Sequence, residues 1–263
     1  IRKKRATQFG RLANPPKKPT PDEQSINEAL NAVGKMKLKV GTIREGAFVV
    51  PSFPFDYEND TAQLAALYKE HAIDTIISKN MTSLDLAQAL NIYTHTFLKD
   101  GTEPAADTWM KDTKPSAFAI TAAKRNQNIG GRSEHYAALL CQLSLSCGFV
   151  SRIIGMHTIT DNGSIVQHTA CEIFLNSFDK WVLFDPYTQA TYYVRDNTPL
   201  SALELRTVML NNLYRDVQPI VGAGDFSEIV TVREKILPCY KYLYIYRMND
   251  ILGKSGKNAS ISW

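Results

Sequence analysis

The sequence predicts an α+β fold in which helices come first and an antiparallel sheet follows. Three observations carry that expectation. Residues 61–77, 83–98 and 116–125 repeat apolar side chains every three or four positions, the helical period. The run Ser133–Cys147 is small or apolar almost all round, which marks a helix buried on every side. Then come Val150–His157, Val166–Leu175 and Trp181–Phe184, short runs rich in β-branched and aromatic residues. Helical segments followed by a run of strands argue α+β rather than a parallel α/β sheet.

Each element has local support. Leu64, Leu67, Tyr68, His71 and Ala72 share one face of the first helix, and Leu86, Leu90, Tyr93, Thr94 and Phe97 do so in the second. Thr82 or Ser83 is a natural N-cap for the second. The third follows Pro115 and runs into the Gly130-Gly131 turn. Gly148 suits a left-handed C-terminal stop for the buried helix. Asp161-Asn162-Gly163 reads as the hairpin turn between the first two strands. Thr191–Val194 is a fourth strand, Pro199–Tyr214 a further helix and Tyr240–Tyr246 a late strand. No internal repeat appears.

The organisation expected is a basic, Pro-rich tail (1–21), an N-terminal extension (22–59), a main domain (60–250) and a C-terminal tail (251–263). Within the extension, 22–33 reads as a short helix and 37–57 as irregular or short-stranded. The net charge of +4 belongs to the tail. Residues 1–20 hold seven Lys or Arg and no acid, and the remaining 23 basic residues face 26 acids, so the body carries about −3. Residues 1–18 suit an anionic membrane surface, although a solvated linker is the ordinary reading of such a run. Nucleic acid is not an expected partner, because the body is slightly acidic and lacks interleaved aromatics. No apolar run approaches 18 residues. The chain begins at Ile1 without Met and reads as a soluble fragment or processed form, with a secreted or membrane-anchored source in view. Compartment and oligomeric state are not fixed by the sequence.

Cys141, Cys147, Cys171 and Cys239 show neither CxxC pairing nor metal-ligand spacing and read as small core residues. No metal and no cofactor is expected. His71 and His95, lone histidines on helices, read as packed or surface residues rather than ligands.

Chemistry concentrates between residues 127 and 186. Gly130-Gly131-Arg132-Ser133-Glu134-His135 is a glycine turn feeding a helix, which places Ser133 at a helix start. Unpaired N–H groups there favour a developing negative charge. His168 lies inside a strand and Asp185 closes the next, the order of a nucleophile, a general base and the carboxylate that orients it. Gln127, six residues before Ser133, has an amide suited to an oxyanion hole; an exposed helix-end residue is the equal alternative. Gly131 and Arg132 are cleft candidates beside it. His135, two residues past Ser133, points away from that hydroxyl. Cys171 neighbours His168 in sequence but faces the other side of its strand. The loops 99–114 and 186–200, with Trp109, Tyr187, Tyr192 and Tyr193, are placed to wall the cleft.

Gly131-x-Ser133-x-x-Tyr136-Ala137 resembles the G-x-C-x-x-[FY]-A motif of the transglutaminase-like (papain-like) superfamily. Residues 145–155 resemble its RxxGIPARxVxG segment, His168-x-x-x-Glu172 its HaWxE and Lys180–Pro186 its gWxxxDP. The likeness covers about residues 115–195. It implies a papain-like α+β core with the nucleophile helix packed on an antiparallel sheet. It also implies acyl transfer or amide hydrolysis on a peptide or protein through Cys, His and Asp, with no cofactor. Two positions depart: Ser133 replaces the Cys, and Ala170 stands where Trp is common. A hydroxyl forms no thiolate–imidazolium pair. Ser133 therefore reads as a substitution that silences a Cys enzyme, as a serine nucleophile, or as the mark of a pseudoenzyme that binds peptide or protein without turnover.

Overall fold

The computed structural model describes residues 55, 58–102, 116–159, 163, 165–193, 197–211, 216–222, 226–246 and 260–262. By backbone contacts the chain divides into residues 1–53 and 54–263. The tail and nearly all of the extension thus lie outside the described residues, as do Trp109 and most of the turn at 161–163.

Six α-helices and seven strands are described: α1 (Thr61–Glu70), α2 (Ser83–Leu98), α3 (Ala117–Gln127), α4 (Ser133–Ser146), β1 (Val150–Ile159), β2 (Ile165–Leu175), β3 (Lys180–Asp185), β4 (Ala190–Tyr193), α5 (Ala202–Leu210), β5 (Gln218–Val221), α6 (Phe226–Thr231), β6 (Tyr242–Tyr246) and β7 (Ser260–Ser262). The strands form one antiparallel sheet in the order β5-β4-β3-β2-β1-β6-β7. The fold is α+β with an antiparallel sheet, as the sequence predicts. No helix among the described residues is long and apolar enough to cross a membrane.

The sheet is covered on both faces. Ile153, Cys171, Ile173, Val182 and Phe184 meet the layer of α1–α4. Ile154, Met156, Ala170, Leu183 and Tyr192 meet a second core built with Leu205 of α5 and the stretch around Leu237 to Tyr240. This double cover explains why β2 is buried continuously from His168 to Ile173 instead of alternating with solvent. The helix α4 lies against β1 and β2, with Leu139, Leu140 and Leu143 fully buried. Each such side chain contributes about 1.5–3 kcal/mol of hydrophobic stabilisation.

Helix ends follow their caps. Thr82 and Asp85 form a reciprocal capping box at the start of α2. At the end of α4, Gly148 takes φ +84°, Phe149 N donates to Ser144 O and Gly148 N to Leu145 O, a complete Schellman stop. The expected helix over 61–77 ends instead at Glu70. Ala72 turns left-handed at φ 47° and a 3₁₀ turn, Ile73–Thr75, follows. That break lets Ile73 enter the core, fully buried.

The candidate active site

Ser133 is the first residue of α4. The two glycines before it were expected to serve a backbone bend. Neither takes a left-handed conformation; what both need is space. A Cβ on Gly130 would meet the carbonyl oxygens of Gly101 at 2.7 Å and Leu98 at 2.8 Å, and one on Gly131 would meet His135 Cβ at 2.8 Å. The strap is tied down by Gly130 N donating to Thr102 O at 2.8 Å and by Thr102 N donating to Asn128 O at 2.8 Å. The end of α2 thus fixes where α4 begins. His135 is fully buried, and its Nδ1 accepts the Arg132 amide at 3.0 Å, in the role a carboxylate plays in a capping box. Burial pushes its imidazole below the ordinary range.

The structure brings His168 and Asp185 together. His168 Nε2 lies 2.7 Å from Asp185 Oδ2, with both residues buried. An ionised carboxylate only accepts, so Nε2 carries the proton and Nδ1 is left to act as a base. Asp185 takes two further donors, Tyr187 N on Oδ1 at 3.1 Å and the Tyr192 hydroxyl on Oδ2 at 3.3 Å. Three donors fix the plane of the carboxylate.

The topology explains how Ser133 reaches this pair. Pairing between β2 and β3 begins at Cys171 and Phe184, and Asp185, the last residue of β3, falls opposite residue 170, so β2 runs on past the end of β3 from residue 169 back to 165. The Thr169 amide, one residue from His168, has no strand partner on that side. It donates to Ser133 Oγ at 3.2 Å. The start of α4 therefore fills the notch that β3 leaves. The Ser133 hydroxyl points at Glu134 Oε2, 3.5 Å away, which is at most a weak contact. Among the described residues no hydrogen bond joins Ser133 to His168.

Gln127 is exposed at the last turn of α3, and none of its hydrogen bonds among the described residues reaches Ser133, His168 or Asp185. Gly131 is buried beneath His135, and Arg132 is half-buried with its amide already donated. Tyr187 does wall the site: its ring packs edge-on to His168 at 5.9 Å and to Tyr136 at 5.2 Å. Tyr192 does not. It is fully buried behind Asp185, and burial, then the carboxylate, push its phenol far above the ordinary range. The side chain of Tyr193 lies outside the described residues.

Two residues serve the site in roles that the sequence did not assign to them. Tyr192, expected at the cleft wall, backs Asp185 instead. His95 is the other: its Nδ1 lies 3.2 Å from Pro186 O and 3.0 Å from Tyr187 O, so it donates to the turn that follows Asp185. Neither has a local signal, since each partner comes from a different element.

Other motif residues gather elsewhere. Glu172, 1% exposed, accepts Arg152 Nε at 2.7 Å and Arg152 Nη2 at 2.6 Å on Oε2, and the Ala202 amide at the start of α5 at 2.6 Å on Oε1. The Arg152 guanidinium stacks 4.0 Å over the Trp181 ring.

The cysteines offer no alternative nucleophile. Cys141 and Cys171 are fully buried, and burial lifts the Cys171 thiol well above its ordinary value. Burial also pushes Cys147 and Cys239 up to about 11. Among the described residues no His/Cys/Asp/Glu group is arranged to hold a metal ion.

No protein-family model matches this chain, and no curated protein does. Among solved structures, a protein from Cytophaga hutchinsonii assigned as a cysteine protease is similar at 18% identity and a TM-score of 0.33. The likeness covers 51% of this chain and 40% of that one, so this chain spans well under half of its length. An arylamine N-acetyltransferase from Bacillus cereus, with a Cys-His-Glu triad, is similar at 11% identity and a TM-score of 0.33, over 78% of this chain and 86% of that one. Superpositions this loose leave the assignment to the residues of this chain, and foremost to the buried His168–Asp185 pair beside the start of α4.

Proposed function

We propose that the domain is a transglutaminase-like (papain-like) acyl-transfer or amide-hydrolysis fold acting on a peptide or protein. Position 133 is that of the nucleophile, His168 the base and Asp185 its orienter. The observation that carries this reading is the His168–Asp185 bond, with Ser133 Oγ held on the amide of the residue next to His168. Paired through Nε2, His168 presents Nδ1 to take a proton from the nucleophile and return it to the leaving group. The amides of Ser133 and Glu134 have no carbonyl partner within α4, because a helix start leaves its first N–H groups unpaired. They are the candidate oxyanion donors, with the Gln127 amide as a further candidate. None of these steps needs a cofactor.

With serine at position 133 little turnover of the thiol kind is expected, because a hydroxyl is not acidified as a thiol is. A second reading, a binding module that reuses the cleft, draws on the Ser133 hydroxyl being bonded to Thr169 rather than to His168. Alkylation of a Ser133→Cys variant by iodoacetamide from pH 5 to 9, read at that position by mass spectrometry, separates the two. Fast labelling well below pH 8 that is lost in Ser133→Cys/His168→Ala is the expected outcome. A profile following an ordinary thiol near pKa ~8.5 would retire the catalytic reading.

A further inference from the structure

Ser133 and the His168–Asp185 pair stand on different elements, and their relative placement needs a common reference. The last turn of α2 touches both sides. On the nucleophile side, a Cβ on Gly130 would lie 2.8 Å from Leu98 O, and Gly130 N donates to Thr102 O at 2.8 Å, which sets the residues leading into Ser133. On the other side stands His95, in the same last turn of α2 and buried. Its Nδ1 lies 3.2 Å from Pro186 O and 3.0 Å from Tyr187 O. Carbonyl oxygens only accept, so Nδ1 carries the proton and shares it between them.

The turn that His95 holds is the one that completes the carboxylate. Tyr187 N donates to Asp185 Oδ1 at 3.1 Å, while Oδ2 takes His168 Nε2 at 2.7 Å. The Tyr187 ring stands edge-on to the His168 ring, 5.9 Å between centroids. One residue thus serves the pair twice, through its amide and through its ring, and His95 holds its carbonyl. The His95 ring also lies 6.0 Å from Tyr136, which follows Ser133 on α4, and Tyr136 meets Tyr187 at 5.2 Å. His95, Tyr136 and Tyr187 therefore link α2, α4 and the turn after β3.

We propose that His95 is a positioning residue of the site. Its Nδ1–H clamps the Pro186–Tyr187 turn to the last turn of α2, and through Tyr187 it fixes Asp185 and His168 relative to the start of α4. Without the clamp both carbonyls lose their donor and the Tyr187 amide is no longer held on Oδ1. The plane of the carboxylate then depends on His168 and on the 3.3 Å bond from Tyr192. The consequence for chemistry rests on the acyl-transfer reading; the clamp itself does not.

Isotope-labelled histidine tests the clamp in the chain with Ser133 as it stands. Proton–nitrogen spectra assign the tautomer of each ring. His95 is expected with its proton on Nδ1, and His168 with its proton on Nε2, slowed in exchange because Asp185 accepts it. His95→Leu should speed exchange of the His168 Nε2 proton at least about fivefold, the effect of one hydrogen bond on a local opening. His95→Asn should restore the slow exchange, because the asparagine Nδ2 stands as many bonds from the backbone as Nδ1 and donates to the same carbonyls. A general loss of packing would not be mended by that one amide. In the Ser133→Cys background the low-pH limb of the iodoacetamide profile should move up by about one pH unit in His95→Leu and return in His95→Asn. A His95 proton on Nε2 overturns the proposal, and this is read in the unsubstituted chain even if His95→Leu fails to fold. So do a His168 proton and a profile that His95→Leu leaves unmoved, or that His95→Asn does not restore. If Ser133→Cys labels as an ordinary thiol while the His168 proton still follows His95, the catalytic reading falls and the clamp stands.

Discussion

The two ends of β2 carry the same kinds of residue to opposite purposes. At one end His168 meets Asp185; four residues on, and on the same side of the strand, Glu172 meets Arg152. The Glu172 end is closed. Both carboxylate oxygens are occupied, the guanidinium lies over Trp181, and the Ala202 amide ties α5 to the strand. The His168 end is open. Asp185 is saturated by three donors, but the Nδ1 of His168 has no partner among the described residues. Fully satisfied polar groups make a brace. A site needs one group left over, and β2 keeps that group where β3 stops short and α4 fills the gap.

The closed end is expected to give the largest stability effect. Glu172→Ala strands the Arg152 guanidinium and the Ala202 amide. Breaking a buried pair by removing one partner costs about 3–5 kcal/mol, and a value near the lower bound is expected because Arg152 is 24% exposed and can reach water. Urea denaturation measures this. Replacing both partners with apolar residues, Arg152→Met with Glu172→Leu, should recover much of the loss. If Glu172→Ala is nearly neutral, the closed end is not a brace and the comparison fails.

His71 sharpens the comparison from the side of histidine itself. Thr121 Oγ1 donates to Ala117 O at 2.7 Å, so it accepts from His71 Nε2 at 2.9 Å, and Nδ1 then accepts the Tyr93 hydroxyl at 2.8 Å. Both ring nitrogens are used, and a second proton has no place. Burial, with Arg125 adding to it, lowers the imidazole to about 4. Between the unfolded value of 6.5 and about 4 the unfolded chain binds more protons, so stability falls as pH falls across that window and is unaffected by His71 above it. The contribution is roughly 2–3 kcal/mol. His71→Gln should remove that part of the slope between pH 7 and pH 4 in chemical denaturation. His135 and His157, also lowered by burial, keep their share in both proteins. An unchanged slope would mean that the His71 ring is not the buried neutral group its bonds describe.

What was legible in the sequence is what local chemistry decides. The bounds of α2 follow from Thr82 and Asp85, the end of α4 from Gly148, and the runs of β1 to β3 from their β-branched residues. The juxtaposition of His168 and Asp185 was legible as motif order, and the geometry brings the two to 2.7 Å. What was not legible depends on partners distant in sequence. Gln218-Pro-Ile-Val becomes β5 only because β4 offers it an edge. The first helix stops at Glu70 although no glycine or proline marks the place, because the core takes Ile73 and the ring of His71. Tyr192, expected at the cleft wall, stands behind Asp185 because β4 turns its side chain into the second core. The brace of Arg152, Glu172 and Trp181 was present as three separate motif fragments whose meeting only the sheet register reveals.

The smallest expected effect probes the open end from behind. Tyr192→Phe keeps the buried ring and its edge contact with Tyr240 at 5.4 Å, but deletes the hydroxyl 3.3 Å from Asp185 Oδ2. His168 uses that same oxygen at 2.7 Å, so the carboxylate stays hydrogen-bonded without the phenol. The bond lost is long, and its net contribution is about 1 kcal/mol. Thermal or urea unfolding should show a loss of that size, well under that of Glu172→Ala. In the Ser133→Cys background, removing one of three donors loosens the plane of Asp185 without unpairing His168. The iodoacetamide profile should therefore keep its fast low-pH limb at a reduced rate. A stability loss equal to that of Glu172→Ala would show that the open end is braced as tightly as the closed one. The difference between them would then lie in the free Nδ1 alone.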